Sequence, residues 1–278
     1  MFFAKYHALG NSYLVVSKGL GSAAPEPLQI SHLCDARLGI GSDGLLLGPL
    51  PSEVAGFRLR IFNPDGSEAE KSGNGLRIFC RFLWDQGLVG DAPFTVETIG
   101  GVVNAQVLEA GRQVTVAMGR VCFSSAEIPV AGAAREVLME DIVVSDTIFR
   151  FCAATVGNPH CVIPVEQPSE ALACRYGPLI EQHSLFPNRT NVQFMQVIDR
   201  HNIRIEIWER GAGYTYASGS SSCAAAAVAH KLGLCEPTIT VHMRGGEINI
   251  ALDPQFNVVM TGPVVHVCNG EVAHECVA

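Results

Sequence analysis

Two short stretches hold residues that could do chemistry at the start of a helix: "EKSGNGLRIF" (70–79) and "YASGSSSCAAAAVAHKLG" (216–233). In each, Ser-Gly precedes an apolar run, and the two serines, Ser72 and Ser218, stand about half a chain apart. A helix N-terminus presents unpaired N–H groups and the positive end of the helix dipole, a combination that suits a carboxylate. Gly73, Asn74 and Gly75 on one side, and Gly219, Ser220 and Ser221 on the other, would let a bound group approach the backbone closely. Taken singly, each serine is first of all an N-cap. Two in matching positions raise a second reading, in which paired helix ends converge on one anion.

The elements that must position these turns read as a repeat. In the first half, 2–8, 13–17, 44–50 and 57–63 read as strands from their β-branched or aromatic content and partial alternation. A helix over 74–86 follows, stopped at Gly87, and then a meander at 94–98, 102–108 and 113–118 with Gly100-Gly101 as a turn. The second half repeats the order. Strands are expected at 141–145, 148–155 and 161–165, a short helical stretch at 177–183, and strands at 192–198 and 202–208. An Ala-rich helix over 221–232 and strands at 238–243, 247–252 and 257–261 close it. The pattern predicts an α/β (α+β) fold of two pseudo-symmetric domains, each a mostly antiparallel sheet around a central helix. Their expected bounds are 1–122 and 123–265, with 266–278 as a C-terminal segment.

Bulk properties narrow the class. Apolar residues make up 48% of the chain and charged residues 17%, the balance of a well-cored globular protein. A net charge of −8 with no basic face argues against nucleic acid, while a small anion needs only a local cation or a helix end. No run approaches the ~20 apolar residues of a membrane helix, and the N-terminus has no signal-peptide pattern. Ten irregularly spaced cysteines read as reduced thiols, which with the missing signal predicts a cytoplasmic protein.

Six blocks in register carry more: "HALGNSYLVV" (7–16), "RLGIGSDGLL" (37–46), "FNPDGSEAEKSGNGLRIF" (62–79), "TVGNPHCVIPV" (155–165), "RTNVQF" (189–194) and "WERGAGYTYASGSSSCAAA" (208–226). Together they resemble the diaminopimelate epimerase family of pyridoxal-independent amino-acid racemases, from about residue 3 to 265. The resemblance implies an isomerase of lysine biosynthesis that uses no cofactor and has its active site in the cleft between two domains. It also implies a small diaminopimelate-like amino acid as substrate, no nucleic-acid or membrane partner, and a homodimer as the assembly. In such an enzyme one cysteine removes the α-proton and a second returns it to the opposite face, while helix N-termini hold the α-carboxylate.

Both of those cysteines fall on serines here, Ser72 and Ser218. The resemblance further implies that Asn63, Asn158, Asn191, Glu209 and Arg210 grip the distal groups of the substrate. Asn11, Gly73, Asn74, Gly219 and Ser220 would surround the reacting carbon, with His160 supporting a loop by hydrogen bonding. Lys71, Tyr214 and Ser221-Ser222 are further departures from the family pattern. Serine is a far weaker acid than a thiol, and a gap of about 5 pKa units adds roughly 7 kcal/mol to the cost of forming the charged base. One helix dipole returns only ~0.3–2 kcal/mol. Four readings therefore stand at this point: a substitution that traps substrate, an epimerase with an activated hydroxyl, a related dehydration or double-bond isomerisation, and binding without turnover.

Two other groups of residues invite attention. Cys80 and Cys223 lie near the turns but read as core. The run "HVCNGEVAHEC" (266–276) has zinc-like residue types, yet Asn269-Gly270 reads as a hairpin and no metal site is expected.

Overall fold

Apolar residues every second position put one face of a strand inside. In "FFAKYHA" the buried residues are Ala4, Tyr6 and Ala8, and that alternation makes β1 (Phe2–Ala8). The computed structural model describes residues 1–17 and 26–276; residues 18–25, within the expected first domain, and 277–278, at the end of the expected C-terminal segment, lie outside the described residues. After β1 come β2 (Asn11–Val16), α1 (Pro27–Cys34), β3 (Leu45–Leu50), β4 (Phe57–Phe62), β5 (Glu68–Ala69), α2 (Gly73–Asp85), β6 (Phe94–Thr98), β7 (Gly101–Leu108) and β8 (Gln113–Arg120). Then follow β9 (Glu140–Val144), β10 (Thr147–Thr155), β11 (Pro159–Pro164), α3 (Glu170–Glu181), β12 (Asn191–Asp199), β13 (Asn202–Glu209), β14 (Gly213–Thr215), α4 (Gly219–Lys231), β15 (Thr238–Met243), β16 (Gly246–Leu252), β17 (Asn257–Pro263) and β18 (Val265–Glu271). The chain is α+β and strand-rich.

It divides into two units, Met1–Ala117 with Thr261–Ala278, and Met118–Met260. Their internal pairings correspond strand for strand. In the first, β1 and β2 are antiparallel, β2 and β3 parallel across α1, β3 and β4 antiparallel, and β4 pairs antiparallel with β5 and parallel with β6. In the second, β10 to β15 repeat every one of these relations, with α3 in the place of α1 and α4 in the place of α2. β9 pairs with the first part of β10, Thr147–Phe151, and Cys122 bridges antiparallel to Thr155 at its end, whereas β1 pairs with β18 from the far end of the sequence.

A central helix lies against each sheet. α2 touches β1, β2, β3 and β7, and α4 touches β10 to β13, β15 and β16. The wrapping buries α4 from Ser221 to Ala229 without a break, which its small side chains permit. Both helices stop in the same way. Gly87 and Gly233 take left-handed φ values of 67° and 72°. Leu88 and Leu234 then donate back to Leu83 and Ala229, each at 3.0 Å, a Schellman closure in both units.

Three expectations change. α3 begins at Glu170, capped by Ser169, and runs through Gly177 and Pro178, so it is longer and earlier than the stretch at 177–183. α1 was not anticipated; it starts from a capping box between Glu26 and Gln29 with Pro27 in its first turn. The Asn269-Gly270 hairpin does not form, because both residues lie in β18, paired with Ala4 and Phe3. Gly270 serves there by lacking a side chain, since a Cβ would come within 2.5 Å of the Phe3 ring. Residues 265–271 are accordingly a strand of the first unit.

Candidate functional site

In the first unit the Ser72 backbone is extended, with φ −136° and ψ 118°, and its Oγ accepts from the Gly75 N–H at 3.0 Å. The serine thus caps α2 while remaining half-buried. The Tyr13 hydroxyl lies 3.2 Å from the same Oγ. Asn74, in the first turn of the helix, donates to Asn11 Oδ1 at 3.0 Å and accepts from the fully buried Arg77 at 2.9 Å. These contacts bring Asn11, Ser72 and Asn74 into one cluster. Asn63 belongs to the exposed turn between β4 and β5, where its Nδ2 donates to Ser67 Oγ at 2.9 Å.

In the second unit Ser218 has nearly the same backbone, φ −145° and ψ 122°, and caps α4 with its Oγ 3.5 Å from the Ser221 N–H. It is buried, at 3% exposure. Ser222 Oγ donates to the Ser218 carbonyl at 2.8 Å, and Gln193 Nε2 donates to Ser221 Oγ at 3.0 Å, so the two extra serines tie the first turn to itself and to β12. Asn158 donates to Ser220 Oγ at 3.4 Å and accepts from His160 Nε2 at 2.9 Å. Because Asn158 offers its carbonyl oxygen, the network assigns the ring proton to Nε2. Burial holds the His160 pKa down at about 3, and the Arg210 guanidinium adds to that effect. Neutral at physiological pH, His160 is a hydrogen-bonding group there.

Asn191 and Arg210 form a second cluster. Asn191 Oδ1 accepts from the Arg210 backbone N–H at 2.9 Å, and its Nδ2 donates to the Pro159 carbonyl at 2.9 Å. Glu209 ends β13 immediately before Arg210. The loop that follows is anchored by the buried Glu181 carboxylate, which accepts from the Gly211 N–H at 3.0 Å, from Trp208 Nε1 at 2.7 Å and from Arg189. Tyr214 turns its hydroxyl to Glu206 at 2.6 Å. Burial and that carboxylate push its pKa up to about 12, so it stays neutral.

Cys80 and Cys223 are fully buried, and burial raises the Cys80 thiol well above its usual range. Among the described residues no group of three or more His, Cys, Asp or Glu is arranged to hold a metal. Among the described residues no helix is long and apolar enough to cross a membrane. Sequence reasoning missed Tyr13, Gln193 and Glu181. Tyr13 carried a usable signal, since it lies two residues from Asn11 on a strand and so shares its face. Glu181 carried none, because only the folded α3 brings it under the loop.

The diaminopimelate epimerase family model matches residues 3–124 and 152–267. Diaminopimelate epimerase 2 of Nostoc sp. is 57% identical over 278 residues, covering 100% of this chain and 98% of the relative. Diaminopimelate epimerase of Moorella thermoacetica is 43% identical over 277 residues, covering 98% and 99%. Among solved structures, a hydroxyproline epimerase from Agrobacterium vitis superposes with a TM-score of 0.72 at 16% identity, covering 97% of this chain and 91% of that one. A probable proline racemase from Agrobacterium radiobacter gives 0.71 at 17%, covering 98% and 93%. At such identities these two neighbours show a shared fold.

Proposed function

The chain belongs to the diaminopimelate epimerase family, and on that premise we propose that it is a cofactor-independent isomerase that inverts an α-carbon of diaminopimelate for lysine biosynthesis. The observation that carries this reading is the full-length 57% identity to a diaminopimelate epimerase. It favours the epimerase over the dehydration, isomerisation and binding-only readings.

In the proposed chemistry the α-carboxylate is held by helix N–H groups, where the helix dipole favours the negative charge that grows as the α-proton leaves. Ser72 and Ser218 occupy the two proton-transfer positions, one taking the proton and the other returning one to the opposite face. Gly73, Asn74, Gly219, Ser220 and Asn11 would line the reacting end. Asn63, Asn158, Asn191, Glu209 and Arg210 would hold the distal ammonium and carboxylate, Arg210 through a paired, charge-assisted contact. His160 would steady Asn158, in keeping with their 2.9 Å hydrogen bond.

The test is incubation of the purified chain with LL- or meso-diaminopimelate in heavy water. Deuterium at the α-carbon together with interconversion of the stereoisomers is the expected result. Elimination products, or binding with no exchange at any enzyme concentration, would overturn the reading.

A further inference from the structure

We propose that Tyr13 is the proton partner of Ser72: the phenol holds the proton or the charge that a serine hydroxyl alone cannot, and acts on substrate through Ser72. The inference rests on the reading of Ser72 as a proton-transfer group and goes beyond it by naming what makes a serine competent there.

The geometry is specific. The Tyr13 hydroxyl is 3.2 Å from Ser72 Oγ, and either atom can be the donor. Ser72 Oγ also accepts from the Gly75 N–H at 3.0 Å, so the hydroxyl is fixed at the first turn of a thirteen-residue helix. The tyrosine is 7% exposed, and its ring occupies space opened by Gly44, where a Cβ would lie 2.5 Å from Tyr13 Cε1 and 2.6 Å from the Phe62 carbonyl oxygen. Any side chain at residue 44 would push the ring away from this seat. Ser218, by contrast, has its Oγ next to the Ser221 N–H and its carbonyl bonded to the Ser222 hydroxyl.

A phenol ionises near pH 10, far below an aliphatic hydroxyl and within reach of the thiol value of about 8.5. As base, the pair works in one concerted relay. The substrate Cα–H bond breaks and its proton goes to Ser72 Oγ. The original hydroxyl proton of Ser72 passes to the Tyr13 phenolate, and the electron pair stays on the α-carbon beside the carboxylate. As acid, the relay runs backwards. Ser72 gives its proton to the carbanion and is reprotonated by the neutral Tyr13 hydroxyl. At Ser72 itself no alkoxide forms in either direction. The proton taken from the α-carbon is held as the Tyr13 hydroxyl proton until it is returned or exchanges with solvent. The proton delivered to the opposite face, which is Ser218's, lies outside this relay.

The experiment is a cycle of Tyr13→Phe with Ser72→Cys, reading kcat and KM for α-hydrogen exchange of diaminopimelate in heavy water. In the Ser72 chain, Tyr13→Phe should lower kcat by about 10²-fold or more, the usual scale of a lost acid–base contribution, with little change in KM. In the Ser72→Cys chain the same substitution should cost far less, because a thiol near 8.5 ionises without help. An equal loss in both backgrounds would mark Tyr13 as merely structural and overturn the proposal, as would an unchanged kcat in the Ser72 chain. Exchange by the unaltered Ser72 chain, whatever Tyr13→Phe does, would uphold the functional reading by itself. If no background exchanges, that reading falls and the Tyr13 assignment falls with it.

Discussion

Each serine of the candidate site serves two ends, and single residues can separate them. As N-caps, Ser72 and Ser218 satisfy backbone donors, so alanine at either should lower stability by about 0.5–2 kcal/mol. Asparagine caps as well as serine does, so Ser72→Asn should hold stability within a few tenths of a kcal/mol while losing epimerisation, whereas at Ser218, 3% exposed, the larger side chain should add about 1–3 kcal/mol of overpacking. Urea unfolding beside a turnover assay checks this, and activity surviving in the asparagine variants would return both serines to a capping role. His160 gives a second residue-scale prediction. Unfolded, it takes up a proton near pH 6.5, whereas in the fold it does so only near pH 3. Between those values the unfolded chain binds more protons, so this contribution to stability is whole above pH 6.5 and drains away as pH falls towards 3. His160→Gln should flatten the acid limb of a stability–pH curve measured by urea unfolding between pH 7 and 4. Residue patterns also mark the limit of sequence reading. Asn269-Gly270 has the composition of a tight turn, but the Phe3 ring settles its conformation, and that ring lies at the other end of the chain. Local signals describe a turn well until a distant side chain claims the same space.

At the scale of elements, most strands were legible because their alternation coincides with their burial, and the two central helices because each is a long apolar run between a Ser-Gly turn and a stopping glycine. The helices α1 and α3 were less so. Gly177 and Pro178 inside α3 cost roughly 1 and 3 kcal/mol of helix propensity, so a helix running through both from Glu170 is not what local preference favours. Packing overrides that. A Cβ on Gly177 would lie 2.5 Å from Trp208 Cγ and 2.6 Å from Trp208 Cβ, so the glycine is what lets α3 close on β13. The contact brings Trp208 Nε1 to Glu181 and with it the anchor of the loop after Glu209 and Arg210. Gly177→Ala should therefore destabilise by about 1–3 kcal/mol, the usual scale of overpacking, although alanine is the better helix former. It should also raise KM more than it lowers kcat, since it disturbs the residues proposed to hold the distal groups. A stabilised Gly177→Ala variant in thermal unfolding would show that propensity, after all, dominates at this position.

For the whole molecule, the repeat is permuted, and the permutation carries a consequence for the site. In the second unit the part of β10 that pairs with β11 is flanked by Cys122, bridged antiparallel to Thr155, from the start of that unit, whereas β1 is flanked by β18 from the opposite end of the chain. β18 covers β1, and Tyr6 of β1 stacks against His266 with ring centroids 4.8 Å apart. The Tyr6 hydroxyl in turn donates to Asp85 at 2.9 Å, fastening β1 to the last turn of α2, whose first turn is capped by Ser72. Mechanical support for Ser72 thus runs from the C-terminal strand through β1 and along the helix. Removing residues 265–278 would leave the β1 edge unpaired, an invitation to self-association, and would uncover Ala4 and Tyr6. Hydrogen exchange should then accelerate in β1 and α2 while protection in β10 to β13 persists, and activity should fall although every proposed site residue is still present. If protection of β1 survived the truncation, β18 would be an ornament on a sheet complete without it, and the coupling from chain end to Ser72 would be refuted.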